Sequence, residues 1–308
     1  MRKVSIIVPV FNSSNTLIRC INSILQQNYK NFEIVVVDDG STDNSLEIIK
    51  SYDLPFMFFF HQENKGACAA RNLGIDKSTG YYIKFLDSDD FLEPSSLSTQ
   101  VEVAESVEEK VIPYGYRNVL NGQDQSIRKV EISSDNQEVE LILNNLITSL
   151  PLHRKSALAS VNFFDESLKF RQEWDLHLRL ASNGYIFQYH DDCVFTQYLH
   201  DTEDRISSRK LNVHNEIFNL NEIRSKFNMV DGSDVASAWS YIYWTLGRQF
   251  LKKHNNKDAQ LLFNLAKEIS PSNYKNYQPF LYRFSSSFFG VSFSEKLILM
   301  YKKIASLF

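Results

Sequence analysis

Four short apolar runs, Val4–Val8, Phe32–Val37, Phe56–Phe60 and Tyr81–Leu86, alternate with stretches of helical spacing at the start of the chain. Leu17, Cys20, Ile21, Ile24 and Leu25 recur on one helical face; Leu46, Ile48 and Ile49 follow a turn that Thr42 or Asp43 is expected to cap; a small-residue helix is expected over Ala67–Ile75. Continuous apolar runs, rather than alternating ones, mark strands buried on both faces. With helices between them they predict a mostly parallel sheet, Rossmann-like, covered on both sides. In such sheets ligands bind outside the carboxyl ends of the strands. Asn12, the pair Asp38-Asp39, and Asp87 with Asp89 all fall at those ends.

Beyond Pro94 the pattern changes. A helix over Ser96–Ser106 leads into apolar runs at Val111–Tyr116 and Arg117–Leu120, with Asn121-Gly122 as a hairpin turn. A helix over Gln137–Ile147, a helix over Glu173–Ala181 stopped by Gly184, and closing strands at Tyr185–Tyr189 and Val194–Tyr198 follow. From Ser208 onward only helices are expected. Trp244-Thr245-Leu246-Gly247, Ala259, Phe263, Ala266 and Pro271 resemble one tetratricopeptide-like hairpin, although a lone repeat is short of a solenoid. The expected partition is a catalytic α/β domain over 1–207, with halves 1–93 and 94–207, and a helical extension over 208–308.

Composition removes several classes. At 308 residues, 43% hydrophobic and 23% charged, the chain suits a globular protein, and a net charge of −4 gives no reason to expect nucleic acid as partner. The three cysteines, Cys20, Cys68 and Cys193, lack metal-ligand spacing and fit a reducing compartment. No apolar stretch approaches the ~18–20 residues of a membrane span, so a cytoplasmic location is expected.

The run Asp87-Ser88-Asp89-Asp90 directly follows an apolar strand. Side chains alternate along extended backbone, so Asp87 and Asp89 are expected to point the same way at the sheet edge, a pair suited to a divalent cation that shares its coordination with substrate phosphates. Plain loop starters and helix caps have the same composition. Asp38-Asp39-Gly40 places two carboxylates at a neighbouring sheet edge, where they can accept from a base N–H or ribose hydroxyls. Asn64-Lys65-Gly66 and the small residues after it permit close backbone approach, and Arg71 offers donors to a base or phosphate. No Gly-x-Gly-x-x-Gly follows the first strand and no Gly-Lys-Ser/Thr occurs, which removes dinucleotide and P-loop readings.

Taken in order, VSIIVPVFN (Val4–Asn12), VVVDDGSTDNS (Val35–Ser45), NKGACAARNLGI (Asn64–Ile75) and FLDSDD (Phe85–Asp90) resemble the successive motifs of family 2 glycosyltransferases with the GT-A fold. The resemblance covers about the first two thirds of the chain. It implies Mn2+- or Mg2+-assisted transfer of a sugar from a nucleoside diphosphate donor, a UDP-sugar by preference, with inversion. The acceptor would be a hydroxyl of a glycan or lipid-linked sugar, in bacterial surface-polysaccharide synthesis. By the same resemblance Pro9, Phe11, Asn12, Asp38, Asp39, Asn64, Gly66, Arg71, Asp87 and Ser88 would bind the donor nucleotide and Asp89 the metal. The family's acidic pair before a Trp-Asp-Leu helix appears as Gln172-Glu173, with Gln172 in place of the commoner first carboxylate. Glu173 takes the position of the general base, and Asp175 is its rival.

His200 is a further metal or diphosphate ligand candidate, Arg205 a lid residue, and His153, Arg154 and Trp174 acceptor- or diphosphate-side candidates. Ser272–Phe308 mixes aromatic residues with lysine and arginine, with Glu295 as its one acid. That composition suits peripheral contact with anionic lipid at the inner face of a membrane; packing on the catalytic domain or a homodimer contact would use it equally well. Two other function classes compete. A sugar nucleotidyltransferase would want a Gly-rich basic loop after the first strand, which Pro9–Ser14 does not supply, and a non-catalytic binding member would not need an Asp-x-Asp together with Glu173.

Overall fold

A computed structural model of the chain describes residues 2–199, 212–227, 233–271 and 294. The chain divides into two compact units, Met1–Leu211 and Asn212–Phe308. The first holds a five-stranded sheet of order β3-β2-β1-β4-β8, with strands β1 (Val4–Val10), β2 (Phe32–Asp38), β3 (Met57–His61), β4 (Tyr82–Phe85) and β8 (Leu152–Arg154). The first four pair in parallel, and β8 adds an antiparallel edge against β4. Every residue of β2 is buried, as expected of a strand covered on both faces. Helices α1 (Leu17–Leu25), α2 (Ser45–Lys50) and α3 (Ala67–Lys77) supply the crossovers. The helix α3 lies so close to β1 that a Cβ on Gly74 would come within 2.4 Å of Ile7 Cγ2.

A second sheet has the order β5-β9-β6-β7, built from β5 (Phe91–Leu92), β6 (Val111–Asn121), β7 (Asp124–Arg128) and β9 (Ile186–Leu199). The Asn121-Gly122 turn closes the β6–β7 hairpin, with Asn121 opposite Asp124 and Gly122 at φ +59°. The two closing strands read from the sequence are one strand. The polar stretch His190-Asp191-Asp192 interrupts the apolar pattern but not the backbone, because the β6–β9 register shifts around Gly115. A Cβ there would meet the Asp192 carbonyl at 2.3 Å, so the missing side chain lets the strands stay together.

Helices α4 (Ser96–Ser106), α5 (Gln137–Leu143), α6 (Lys155–Ser160) and α7 (Gln172–Ser182) complete the unit. The expected helix over Gln137–Ile147 stops at Leu143, since Asn144 turns extended (φ −131°, ψ 92°). The expected Asp43 cap acts from one residue before the N-cap position, accepting from the first amide of α2. Asn44 precedes α2 without a side-chain cap, while Asp43 accepts from the Ser14 and Ser45 amides and Thr42 donates to Asn12.

The second unit contains α8 (Val213–Ser225), α9 (Asp234–Lys252) and α10 (Asn256–Ile269). The helices α9 and α10 form the single hairpin suggested by the repeat-like residues. Trp244 and Phe263 rings meet at 4.8 Å, Gly247 leaves room for Phe263, and Ser240 Oγ donates to the Ala266 carbonyl at 2.6 Å. No helix among the described residues is long and apolar enough to cross a membrane. The tail over 272–308 that carries the lipid-contact expectation lies, apart from Ser294, outside the described residues, as do His200 and Arg205.

Candidate active site

Three loops meet at the carboxyl ends of β1, β2 and β4. Asn12 leaves β1 in the left-handed region (φ +50°), which asparagine tolerates better than most residues. Its amide donates to Ser41 Oγ at 3.0 Å and its side chain accepts from the Thr42 amide at 2.8 Å, stitching the β1 loop to the β2 loop. Pro9 lies on β1 opposite Val37, and Phe11 stands 47% exposed just beyond the strand.

Asp38 is fully buried, accepting from the Ser41 amide and paired with His61 Nδ1 at 2.8 Å across the β2–β3 ladder. Asp39 accepts from Gln62 Nε2 at 2.7 Å and from the Lys65 and Gly66 amides at 2.8 Å each. Three of the roughly four acceptor positions of a carboxylate are thereby occupied. Asp38 braces the β2–α2 loop and the end of β3, and Asp39 shapes the β3–α3 loop from within, roles that placement at a strand end does not reveal in sequence. Asn64 is exposed, and its amide sits where a Cβ on Gly40 would come within 2.9 Å. Gly66 has φ +94° with open space around the Cβ position, so conformation and not crowding requires glycine there.

The acidic run does not extend β4. The strand ends at Phe85, and Asp87–Asp90 form a turn closed by the Asp90 amide on the Asp87 carbonyl at 3.0 Å. The alternation that would aim Asp87 and Asp89 together therefore does not apply. Asp87 accepts from Arg71 Nη2 at 2.7 Å. Ser88 shares a 2.7 Å hydroxyl contact with Ser13. Asp90 is buried and accepts from the Tyr198 amide. Asp89 is partly exposed at the turn.

Arg71 links the two halves of the unit. It is 7% exposed on α3, and besides Asp87 it reaches Gln172 Oε1 at the start of α7 at 3.4 Å. Burial works against its charge, but the Asp87 ion pair and hydrogen bond, with Cys68 and Glu173 nearby, outweigh that and raise its pKa. The thiol of Cys68 is pushed by burial to about 12 and is inert. Arg171 enters α7 in the left-handed region (φ +60°), and Glu173 follows in the first turn, partly exposed, accepting from Asn145 Nδ2 at 2.8 Å.

Four candidates prove to be interior. Asp175 is fully buried and ion-paired with Arg179 at 2.6 Å, which removes it as a rival base. Trp174 is buried and donates to the Leu141 carbonyl at 2.6 Å. Arg154 donates to the Val111 and Ala104 carbonyls at 2.6 and 2.8 Å. His153 is fully buried, stacked on His177 at 5.7 Å, and neither of its ring nitrogens has a hydrogen-bond partner. None of these side chains is available to an acceptor or diphosphate. Conversely, Asn145 and Arg19, the latter donating to the Asp89 carbonyl at 2.8 Å, hold candidate residues in place without any sequence signal beyond polarity.

Among the described residues no group of three or more His, Cys, Asp or Glu side chains is arranged to hold a metal. A cation of the Mg2+ type does not need one, since it keeps waters and takes one or two carboxylates plus substrate phosphates. Asp89, partly exposed on the turn beside Asp87, fits that mode.

Known proteins resemble this chain in sequence and in fold. The family model described as glycosyl transferase family 2 matches residues 5–158. An uncharacterized glycosyltransferase of Rickettsia typhi is 32% identical over 208 residues, covering 65% of each chain. One from Rickettsia bellii is 34% identical over 167 residues, 54% of this chain and 24% of its own. GlyG of Streptococcus pneumoniae is 31% identical over 191 residues, 56% of this chain and 64% of its own. This chain thus spans from a quarter to about two thirds of these relatives' lengths. Among solved structures, S. aureus TarS 1–349 in complex with UDP-GlcNAc superposes with a TM-score of 0.75, covering 97% of this chain and 92% of that one. At 18% identity that likeness speaks to the GT-A fold.

Proposed function

This chain is a member of glycosyltransferase family 2, and on that premise we propose that it moves a sugar, with inversion, from a nucleoside diphosphate donor to a hydroxyl of a glycan or lipid-linked acceptor. The observation that carries the reading is the Arg71 bridge. One buried guanidinium holds Asp87 of the acidic turn and Gln172, the residue before Glu173. A donor seated along the carboxyl ends of β1, β2 and β4 would therefore present its sugar near a partly exposed carboxylate.

TarS, a structural neighbour, was solved with UDP-GlcNAc and with UDP, which makes a UDP-sugar the first donor to try. Glu173, at the positive end of α7, would accept the acceptor hydroxyl's proton as the new C–O bond forms and the bond to the diphosphate breaks. Asn145 holds that carboxylate by one oxygen. Asp89 would hold Mn2+ or Mg2+, which when bound neutralises charge on the departing nucleoside diphosphate. Surface-polysaccharide synthesis as the setting rests on the family alone.

The test is Glu173→Gln, with nucleoside diphosphate release and donor binding measured side by side. A general base contributes typically 10²–10⁴-fold, so release should fall by about that factor while donor affinity holds. Near-normal release would remove Glu173 from the role.

A further inference from the structure

We propose that Arg19 is the positioning residue of the acidic turn, fixing the direction of the Asp89 carboxylate toward a cation-bound diphosphate. The proposal rests on the nucleotide-sugar reading above and deepens it. Arg19 lies on α1, and its Nη2 donates to the backbone carbonyl of Asp89 at 2.8 Å. A guanidinium that binds this carbonyl fixes the peptide plane after Asp89, and with it the course of the turn that carries the side chain.

The guanidinium plate is itself held in plane. It lies over the Tyr198 ring at 4.0 Å and the Phe91 ring at 5.2 Å. Phe91 pairs with Thr196 across β5–β9, and Tyr198 is two residues further along β9, so both rings project from the same face of that sheet. Tyr198 also contributes its amide to Asp90 Oδ1 at 3.0 Å, so one residue holds both the turn and the plate beneath it. The Arg19 Nε is buried without a hydrogen-bond partner, an unfavourable arrangement that a lysine would avoid. Only the planar fork serves both the aromatic faces and the carbonyl. Ser13 to Ser88 at 2.7 Å, Arg71 to Asp87 at 2.7 Å and the Asp90 amide to the Asp87 carbonyl at 3.0 Å attach the turn at other points, while Arg19 acts on the peptide plane after Asp89.

The experiment is calorimetric titration of the full chain with UDP, in the absence and presence of Mn2+. Wild type is expected to bind UDP in both conditions and more tightly with Mn2+. Outer-shell partners of a metal ligand are worth about 10–100-fold in metal affinity, so Arg19→Met should lose the Mn2+-dependent gain by that factor and keep its cation-free UDP affinity. Arg19→Lys, which keeps a donor but loses the plate, should fall between. Should Arg19→Met fail to fold, Arg19→Lys and Tyr198→Leu carry the same comparison. A full Mn2+ gain in the variants, with only a lower melting temperature, overturns the positioning role, as does the absence of any gain in wild type. If wild type binds no UDP in either condition, the nucleotide-sugar reading itself fails and the positioning role with it.

Discussion

Arg71 stays charged against the cost of its burial because Asp87 sits 2.7 Å away. Arg71→Met would leave Asp87 without its ion-pair partner and Gln172 without its link to α3. Hydrogen bonds to charged groups are worth about 1.5–3 kcal/mol, which predicts a loss of UDP affinity of about 10–100-fold in a binding titration. Arg71→Lys should recover only part, since one ammonium does not reproduce a fork spanning Asp87 and Gln172. An unchanged affinity would show that the bridge is only a strut. At this scale the sequence reveals which side chains carry charge and where strands end, and so brings Asp38, Asp39, Asp87, Arg71 and Glu173 to notice. It does not reveal engagement. Asp39 spends its oxygens on the Gln62 side chain and two loop amides, and His153 and Asp175 look like site residues only until their full burial is known.

The helix α3 is the element on which the site turns. Gly66 starts it, Arg71 projects from its middle, and Gly74 packs its far end on Ile7 of β1. Gly74→Ala would push a methyl into Ile7 Cγ2, and overpacking of this kind costs about 1–3 kcal/mol. A denaturant titration should show that loss with an unchanged slope. Stability equal to wild type would mean the helix shifts freely on the sheet. Elements with a clear period were legible from residues alone: α1, α4 and the parallel strands fall within a residue or two of expectation, because burial on one face or both writes itself into composition. The strand β9 was not. Its polar centre is tolerated by a bulge opposite Gly115, a pairing between segments far apart in the chain that no local pattern encodes. The short β5 and β8 owe their existence to partners in the same way.

The folded first unit also stores an acid sensitivity. Burial pushes the His177 pKa from 6.5 down to about 3, and burial, with His177 and Lys84 beside it, lowers that of His153. Glu33, its side chain 1% exposed, is opposed by burial but held down from 4.5 to about 2 by Lys3, Ser5 and Thr79. All three groups bind more protons unfolded than folded. Their contribution is complete above about pH 6.5, declines through the histidines as pH falls below that value, and declines further through Glu33 below 4.5. Each proton costs about 1.4 kcal/mol per pH unit. Replacing His177 with Phe should flatten the stability–pH curve between pH 6 and 4 by about one proton, read from unfolding at a series of pH values; an unaltered slope would place the sensitivity elsewhere.

At the scale of the molecule the account stands on one juxtaposition, a donor diphosphate at the acidic turn with its sugar facing Glu173. The direct measurement is a crystal structure of the chain with a UDP-sugar and Mn2+. The account predicts the diphosphate beside Asp89 and Arg71, the uracil toward the Asp39 loop and the anomeric carbon turned to the Glu173 carboxylate. A nucleotide bound away from the acidic turn, or a sugar pointing away from Glu173, would contradict it.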